Sequence, residues 1–178
     1  MTHTTGYALC LAMFATMAIA LPALAADQTV VMHKVTQSGT SDEIGTIVVG
    51  SSDAGATFKL NLYGLTPGPH GFHVHENSNC SPTLLNGIRI PGGAAGGHYD
   101  PDHKYKHAGP EGEGHLGDLP LLVVVADGTA RQTLTAPRIK DIDVLKGRGL
   151  MIHAGGDTYS DTPSLGGGGA RFACGAME

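Results

Sequence analysis

Hydrophobic and polar positions alternate in short runs along most of the chain, and glycine, proline, asparagine and aspartate separate the runs. TVVMHKVT (29–36) and IGTIVVG (44–50) read as strands, with 39–42 as the turn between them. TFKLNLY (57–63) alternates with period two, which places Phe58, Leu60 and Leu62 on one face. Residues 64–69 punctuate the chain before GFHVHE (71–76). LPLLVVV (119–125) is a continuous apolar run followed by Asp127-Gly128, a hairpin signal that makes 129–135 its return strand. GLMIH (149–153) and ARFAC (170–174) complete about eight short strands, with no internal repeat. This spacing predicts an all-β fold, an antiparallel Greek-key sandwich or barrel. Two stretches resist the pattern, 77–117 and 154–169. Loops this long in a compact domain are functional, or are tied down by something other than regular backbone pairing.

Before the first strand, residues 7–25 form an apolar run ending Ala23-Leu24-Ala25, a small-x-small pattern suited to signal peptidase, with Pro22 just ahead of it. The leader lacks Lys and Arg. The run is also just long enough to span a bilayer as an uncleaved anchor. The Ala-Leu-Ala site and the abrupt polar change at Asp27 favour a signal peptide over 1–25, leaving one domain over 26–178. A domain of that size buries roughly 70% of its unfolded surface. No second apolar segment is long enough to cross a membrane, so none is expected after cleavage. The 27 glycines, 10 prolines and few aromatic residues agree with a turn-rich β protein. A net charge of −5 without a basic run argues against nucleic acid as a partner. Cys10 falls in the leader, so the exported chain keeps Cys80 and Cys174. In an oxidising compartment such a pair is most economically one disulfide; two free buried thiols would require a reducing one.

The candidate chemistry lies in the histidines. In GFHVHE, His73 and His75 share one face of a half-buried strand while Phe72 and Val74 share the other, so two imidazoles converge from a rigid support. The long loop adds His98, His107 and His115, with Asp118 three residues later. Three imidazoles and a carboxylate complete a tetrahedral shell for zinc with no open position, a structural site. His73 and His75 need further ligands, and His153 at the end of GLMIH is the natural candidate. Counting sites against histidines suggests that one is shared between two metals. His33, His70 and His103 read as surface or packing residues.

GFHVHE, AAGGHYDP, GPEGEGHLGDLP and GGGGARFACG follow one another in an order and spacing that resemble the bacterial copper–zinc superoxide dismutases, over essentially all of 26–178. That family is among the known β-sandwiches. The resemblance implies copper on His73, His75, His98 and His153, and zinc on His98, His107, His115 and Asp118. It makes His98 a bridging imidazolate that lets go of copper and takes a proton during turnover. It implies a Cys80–Cys174 disulfide tying the loop to the last strand. It makes Arg171 the cation that guides the anion, and Asp157 an outer carboxylate linking a copper histidine to a zinc histidine. The activity implied is conversion of two superoxide anions and two protons to oxygen and hydrogen peroxide by Cu(II)/Cu(I) cycling. One copper and one zinc per subunit would serve as cofactors in the periplasm, with a homodimer left open. Arg89, Lys104 and Lys106 are further cations whose part in steering the sequence does not assign.

Two other classes compete. A non-catalytic periplasmic copper/zinc carrier would use methionine-rich or loosely held ligands, whereas most methionines here lie outside the motifs, and it has no use for Arg171. An adhesion sandwich with zinc alone leaves His73, His75 and His153 unexplained.

Overall fold

The computed structural model describes residues 26–178 together with Met1 and His3, so the expected leader otherwise lies outside the described residues. Its strands are β1 (Gln28–Thr36), β2 (Gly39–Ser52), β3 (Gly55–Leu62), β4 (Gly68–His70), β5 (Phe72–His75), β6 (Thr83–Leu85), β7 (Ile88–Ile90), β8 (Leu122–Val124), β9 (Thr133–Ala136), β10 (Gly149–His153) and β11 (Arg171–Ala176). Among the described residues there is no α-helix, only three short 3₁₀ turns. Seven strands form one curled antiparallel sheet in the order β5-β10-β11-β1-β2-β3-β9, while β4 pairs with β8 and β6 with β7. The all-β antiparallel class is the one the alternating pattern predicts.

The main core fills the concave side. Phe58 and Leu60 from β3, Ile47 and Val49 from β2, Phe72 and Val74 from β5, and Leu150 and Ile152 from β10 are all buried there. Phe58 and Phe72 meet edge to face with ring centroids 5.5 Å apart, a favoured arrangement that locks β3 against β5. A smaller cluster of Val35, Ala95, Met151 and Cys174 packs elsewhere, with Cys80 against it. The Cys80–Cys174 disulfide closes a sequence separation of 94 residues and pins the first long loop to β11.

The structure departs from the sequence pattern in five places. The turn assigned to 39–42 sits at Gln37 and Ser38, because Thr36 Oγ1 accepts from the Ser38 amide and donates to the Gly39 carbonyl (3.1 and 2.9 Å). The strand then resumes at Gly39, whose φ of 132° favours glycine. The run 119–125 is not continuous core: Leu122 and Val124 are buried while Val123 and Val125 face out. Its Asp127-Gly128 turn forms, with Val125 N donating to Thr129 O (2.9 Å). The expected hairpin ladder does not follow, since β8 pairs with β4 and β9 with β3. The strand carrying His73 and His75 is buried on both faces rather than half-buried. Finally, residues 77–117 are not structureless: Asn86-Gly87 turns a small hairpin, β6/β7, with both residues at positive φ. β4, β6 and β7 raise the strand count above the expected eight.

Replacing both Cys80 and Cys174 with serine should cost about 4–5 kcal/mol of stability, because the crosslink closes a loop of nearly a hundred residues in the unfolded chain. Thermal melts with and without reductant check this; an unchanged midpoint would show that packing alone holds the loop.

Candidate metal centre

β5 is an edge strand of the sheet, and its position fixes the site. Along one side it pairs with β10, placing His73 opposite Met151 and His75 opposite Gly149. Its other side is completed by the long loop instead of a strand: His73 bridges to Asp118 and His75 to His98. Val74 donates to the Gly117 carbonyl (2.9 Å) and accepts from the Tyr99 amide (2.8 Å), so the loop backbone runs as a surrogate ladder. A side chain at 117 would collide with the Val74 carbonyl and the Tyr99 amide, which is why glycine stands there. His153 arrives from β10, with its amide donating to Gly71 O (2.9 Å). Backbone register thus delivers His73, His75, His98, Asp118 and His153 to one place.

Two groups result. His73, His75, His98 and His153, all buried, offer ligand atoms within 4.8 Å of one another; so do His98, His107, His115 and Asp118. His98 belongs to both groups. The His73 and His98 ring centroids are 3.9 Å apart, and those of His98 and His107 are 4.9 Å apart.

Three of the four imidazoles of the first group, those of His73, His75 and His153, use one nitrogen for the protein and leave the other unpartnered. His73 donates from Nε2 to Asp157 Oδ2, His75 from Nδ1 to the Gly96 carbonyl (2.9 Å) and His153 from Nδ1 to the Gly169 carbonyl (3.1 Å). The opposite nitrogens, His73 Nδ1, His75 Nε2 and His153 Nε2, are buried without a hydrogen-bond partner, as is His115 Nδ1. Buried polar atoms are ordinarily paired. A hydrogen bond at one ring nitrogen fixes the tautomer and turns the lone pair of the other outward, the arrangement of a metal-binding histidine. Three such lone pairs in one group fit a divalent metal of imidazole preference, copper included.

Electrostatics agree. Burial, reinforced by neighbouring imidazoles, holds His73 and His75 well below the usual histidine range, and burial brings His153 to about 4. Burial lowers His115 as well. These rings are neutral bases at ordinary pH, the form that ligates. Burial pushes Asp118 upward, but the His98 Nδ1 hydrogen bond (3.0 Å), the Ala108 amide (3.1 Å) and nearby histidines outweigh it. Asp118 is therefore an anion beside three imidazoles, a donor set suited to zinc.

Arg171, opposite His153 across β10 and β11, donates to the carbonyls of Gly92 (3.0 Å) and Gly96 (2.6 Å). Gly96 O also accepts from His75, so one carbonyl ties the guanidinium to the first group. A cavity of about 750 Å³ lined by His75, His98, His153 and Arg171 opens to solvent here. Arg89 spends its guanidinium on the Gln37 carbonyl (3.3 Å), and Lys104 and Lys106 are exposed.

Asp157 meets the expected link only halfway. It holds His73, but its other oxygen accepts from the Tyr159 amide (2.7 Å), and His107 is bound by Asp161 instead (2.7 Å). Sequence reading also passed over His70 as a surface or packing residue. It is buried, its ring set between the His153 carbonyl (Nδ1, 2.7 Å) and the Thr66 carbonyl (Nε2, 2.8 Å), and so braces a site residue through its backbone. Its place directly before GFHVHE was the available signal. His33 and His103 stay outside both groups.

Comparison with known proteins bears on the same residues. A family model described as copper/zinc superoxide dismutase matches residues 43–177. The Cu-Zn superoxide dismutase of Brucella abortus is 52% identical over 161 residues, covering 90% of this chain and 93% of that protein. The solved Cu/Zn superoxide dismutase from Brucella abortus superposes with a TM-score of 0.85 at 51% identity, over 86% of this chain and 100% of the other. A solution structure of the monomeric copper, zinc superoxide dismutase from Salmonella enterica gives 0.78 at 50%, with coverage of 86% and 100%. Agreement this long, running from β2 into the last strand, means that the chain belongs to the copper/zinc superoxide dismutase family.

Proposed function

We propose that the protein dismutes superoxide, with copper held by His73, His75, His98 and His153 and zinc by His98, His107, His115 and Asp118. The observation that carries this reading is the pair of histidine groups joined at His98, with unpartnered buried nitrogens in each. Copper supplies a one-electron couple when bound, while zinc has no redox chemistry and serves as a fixed charge.

The chain's residues do the rest. His98 belongs to both groups and turns Nδ1 toward Asp118, the side on which zinc would be held, which leaves Nε2 as the nitrogen that can hold a proton on the side of the first group. Asp157, Gly96 and Gly169 fix three rings by their far nitrogens, so little reorganises when the charge at the site changes. Arg171 keeps its charge at any relevant pH and faces the same cavity, where a small anion finds a positive field although the protein is net negative. Its two carbonyl partners hold it still, and the guanidinium retains further N–H donors for the anion. Residues 1–25 are read as an export signal, with the mature chain starting at Ala26 in the periplasm; the disulfide suits such an oxidising compartment.

The decisive experiment is superoxide loss measured on protein carrying both metals; a carrier would bind copper and zinc and leave the decay rate at background. Arg171→Ala should slow turnover about tenfold and flatten its dependence on ionic strength, since a focused field is screened by salt. A variant with the parent's rate and salt response would make the arginine merely structural. Asp118→Ala should weaken zinc retention by more than the about 10–100-fold typical of losing a ligand's outer hydrogen bond, and affect copper less. Zinc content after dialysis against a chelator reads this out, and an unchanged value refutes it. N-terminal sequencing of protein from the periplasmic fraction should begin at Ala26; a membrane-bound chain retaining residues 1–25 would overturn the export reading.

A further inference from the structure

The cavity beside the two groups is larger than the anion it is read to admit. Its volume is about 750 Å³. A diatomic anion needs little more than the roughly 30 Å³ of a water molecule. Concavities of roughly 300–1,000 Å³ with apolar walls and a few fixed polar groups are the form that takes organic ligands.

The spare room is walled by the β6/β7 hairpin. Leu84 and Leu85 are 70% and 61% exposed, and with Ile90 they line the same cavity as Arg171. Single apolar residues at a surface mean little, but adjacent ones facing a concavity mark a contact surface. The hairpin is also held in place. Cys80, three residues before β6, is tied to β11 by the disulfide. The Ala94 amide donates to the Ser81 carbonyl (3.0 Å), and a Cβ at Gly93 would collide with Thr83. Tyr105, stacked on His103 with ring centroids 5.6 Å apart, adds an exposed aromatic face to the lining.

Charge decides which end of a ligand goes where. Arg171 is the only lysine or arginine among the described residues that line the cavity. Its contacts to the Gly92 and Gly96 carbonyls leave N–H groups free for an anion. Glu76 and Asp100 also line the cavity, each accepting from a backbone amide, that of Gly97 (2.9 Å) and of Tyr105 (2.8 Å). Their carboxylates repel a second negative group, so a ligand with one charged end and an apolar remainder fits best.

We propose that this cavity binds an amphiphilic monocarboxylate, with the carboxylate on the Arg171 guanidinium and the alkyl chain against Leu84, Leu85 and Ile90. The hairpin is then a chain-binding wall beside the anion position, and a bound chain fills the space through which a small anion reaches Arg171. The inference rests on the reading that Arg171 draws anions into this cavity.

The test uses the chain carrying both metals. Binding of hexanoate, octanoate and decanoate, each kept below its micellar concentration, is measured by calorimetry for the parent, Arg171→Ala and the double variant Leu84→Ser/Leu85→Ser. Both leucines are exposed, so the double variant keeps the fold. The parent should bind one molecule per chain and gain about two- to threefold per methylene, making decanoate about 20–80-fold tighter than hexanoate. In the double variant that gain should fall below about fivefold. Arg171→Ala should weaken all three ligands about tenfold and keep the gain with length, and octanamide should bind the parent about tenfold more weakly than octanoate. A parent indifferent to chain length, with binding still lost in Arg171→Ala, overturns the chain-binding wall and leaves the anion reading of Arg171 standing. Equal binding by the parent and Arg171→Ala removes that reading and this inference with it. If the chain carrying zinc alone binds no decanoate, the carboxylate belongs on the copper and the assignment to Arg171 is wrong. Several molecules per chain, unchanged in the double variant, would be unspecific detergent binding and equally fatal. Sedimentation checks two other occupants. A parent that ignores decanoate but self-associates through Leu84 and Leu85, or floats with phosphatidylglycerol vesicles, would overturn the proposal in favour of a second copy or a lipid surface.

Discussion

An edge strand with unpaired backbone groups is ordinarily a liability that must be covered. Here the free side of β5 is covered by loop residues that are themselves site residues, Asp118 beside His73 and His98 beside His75. The hydrogen bonds that protect the edge also set the register of the ligands. A one-residue slip would turn His73 and His75 away from Asp118 and His98 and drive Phe72 and Val74 out of the core. Stability and site geometry therefore depend on the same short ladder.

That coupling explains the positions of the other constraints. The first long loop cannot hold such a register alone, since little of it is regular. The disulfide ties it to β11, the Gly117 and Tyr99 contacts tie it to β5, and the Asp161–His107 contact ties it to the second loop. A metal in the second group would draw His98, His107, His115 and Asp118 together as a fourth tie. The nitrogens of His73, His75 and His153 that the protein leaves unpartnered are offered to a metal in the first group, since each ring spends its other nitrogen on a protein acceptor.

Arg171 is a cation held in a fixed place beside the first group, in a chain of net charge −5. Its reach is limited by two carbonyls, one of which also orients His75. Charge and imidazole are held by one backbone atom, so the distance between them varies little. A surface lysine on a flexible stem gives no such fixed distance.

Short-range patterns were enough to read much of this protein from its amino acids. Period-two alternation marked β3, short runs bounded by turn residues marked β1 and β10, and the spacing of GFHVHE put two imidazoles on one face whatever the rest of the chain did. Residue chemistry singled out His98, His107, His115 and Asp118, and the two cysteines, because few side chains offer such donors. What stayed hidden depends on contacts far apart in the chain. The partner of 119–125 was misjudged because a good turn at Asp127-Gly128 says nothing of which strand lies closer, and β4 competes successfully for β8. His70 looked like a packing residue because only the fold brings the His153 carbonyl, 83 positions away, against its ring. Asp161 carried no signal for the same reason: an aspartate in a turn-rich loop is ordinary until the tertiary structure sets His107 beside it. Sequence determined which groups were available and which faces they shared. Only the folded chain decided which nitrogen of each ring was spoken for, because that choice belongs to partners the local pattern does not contain.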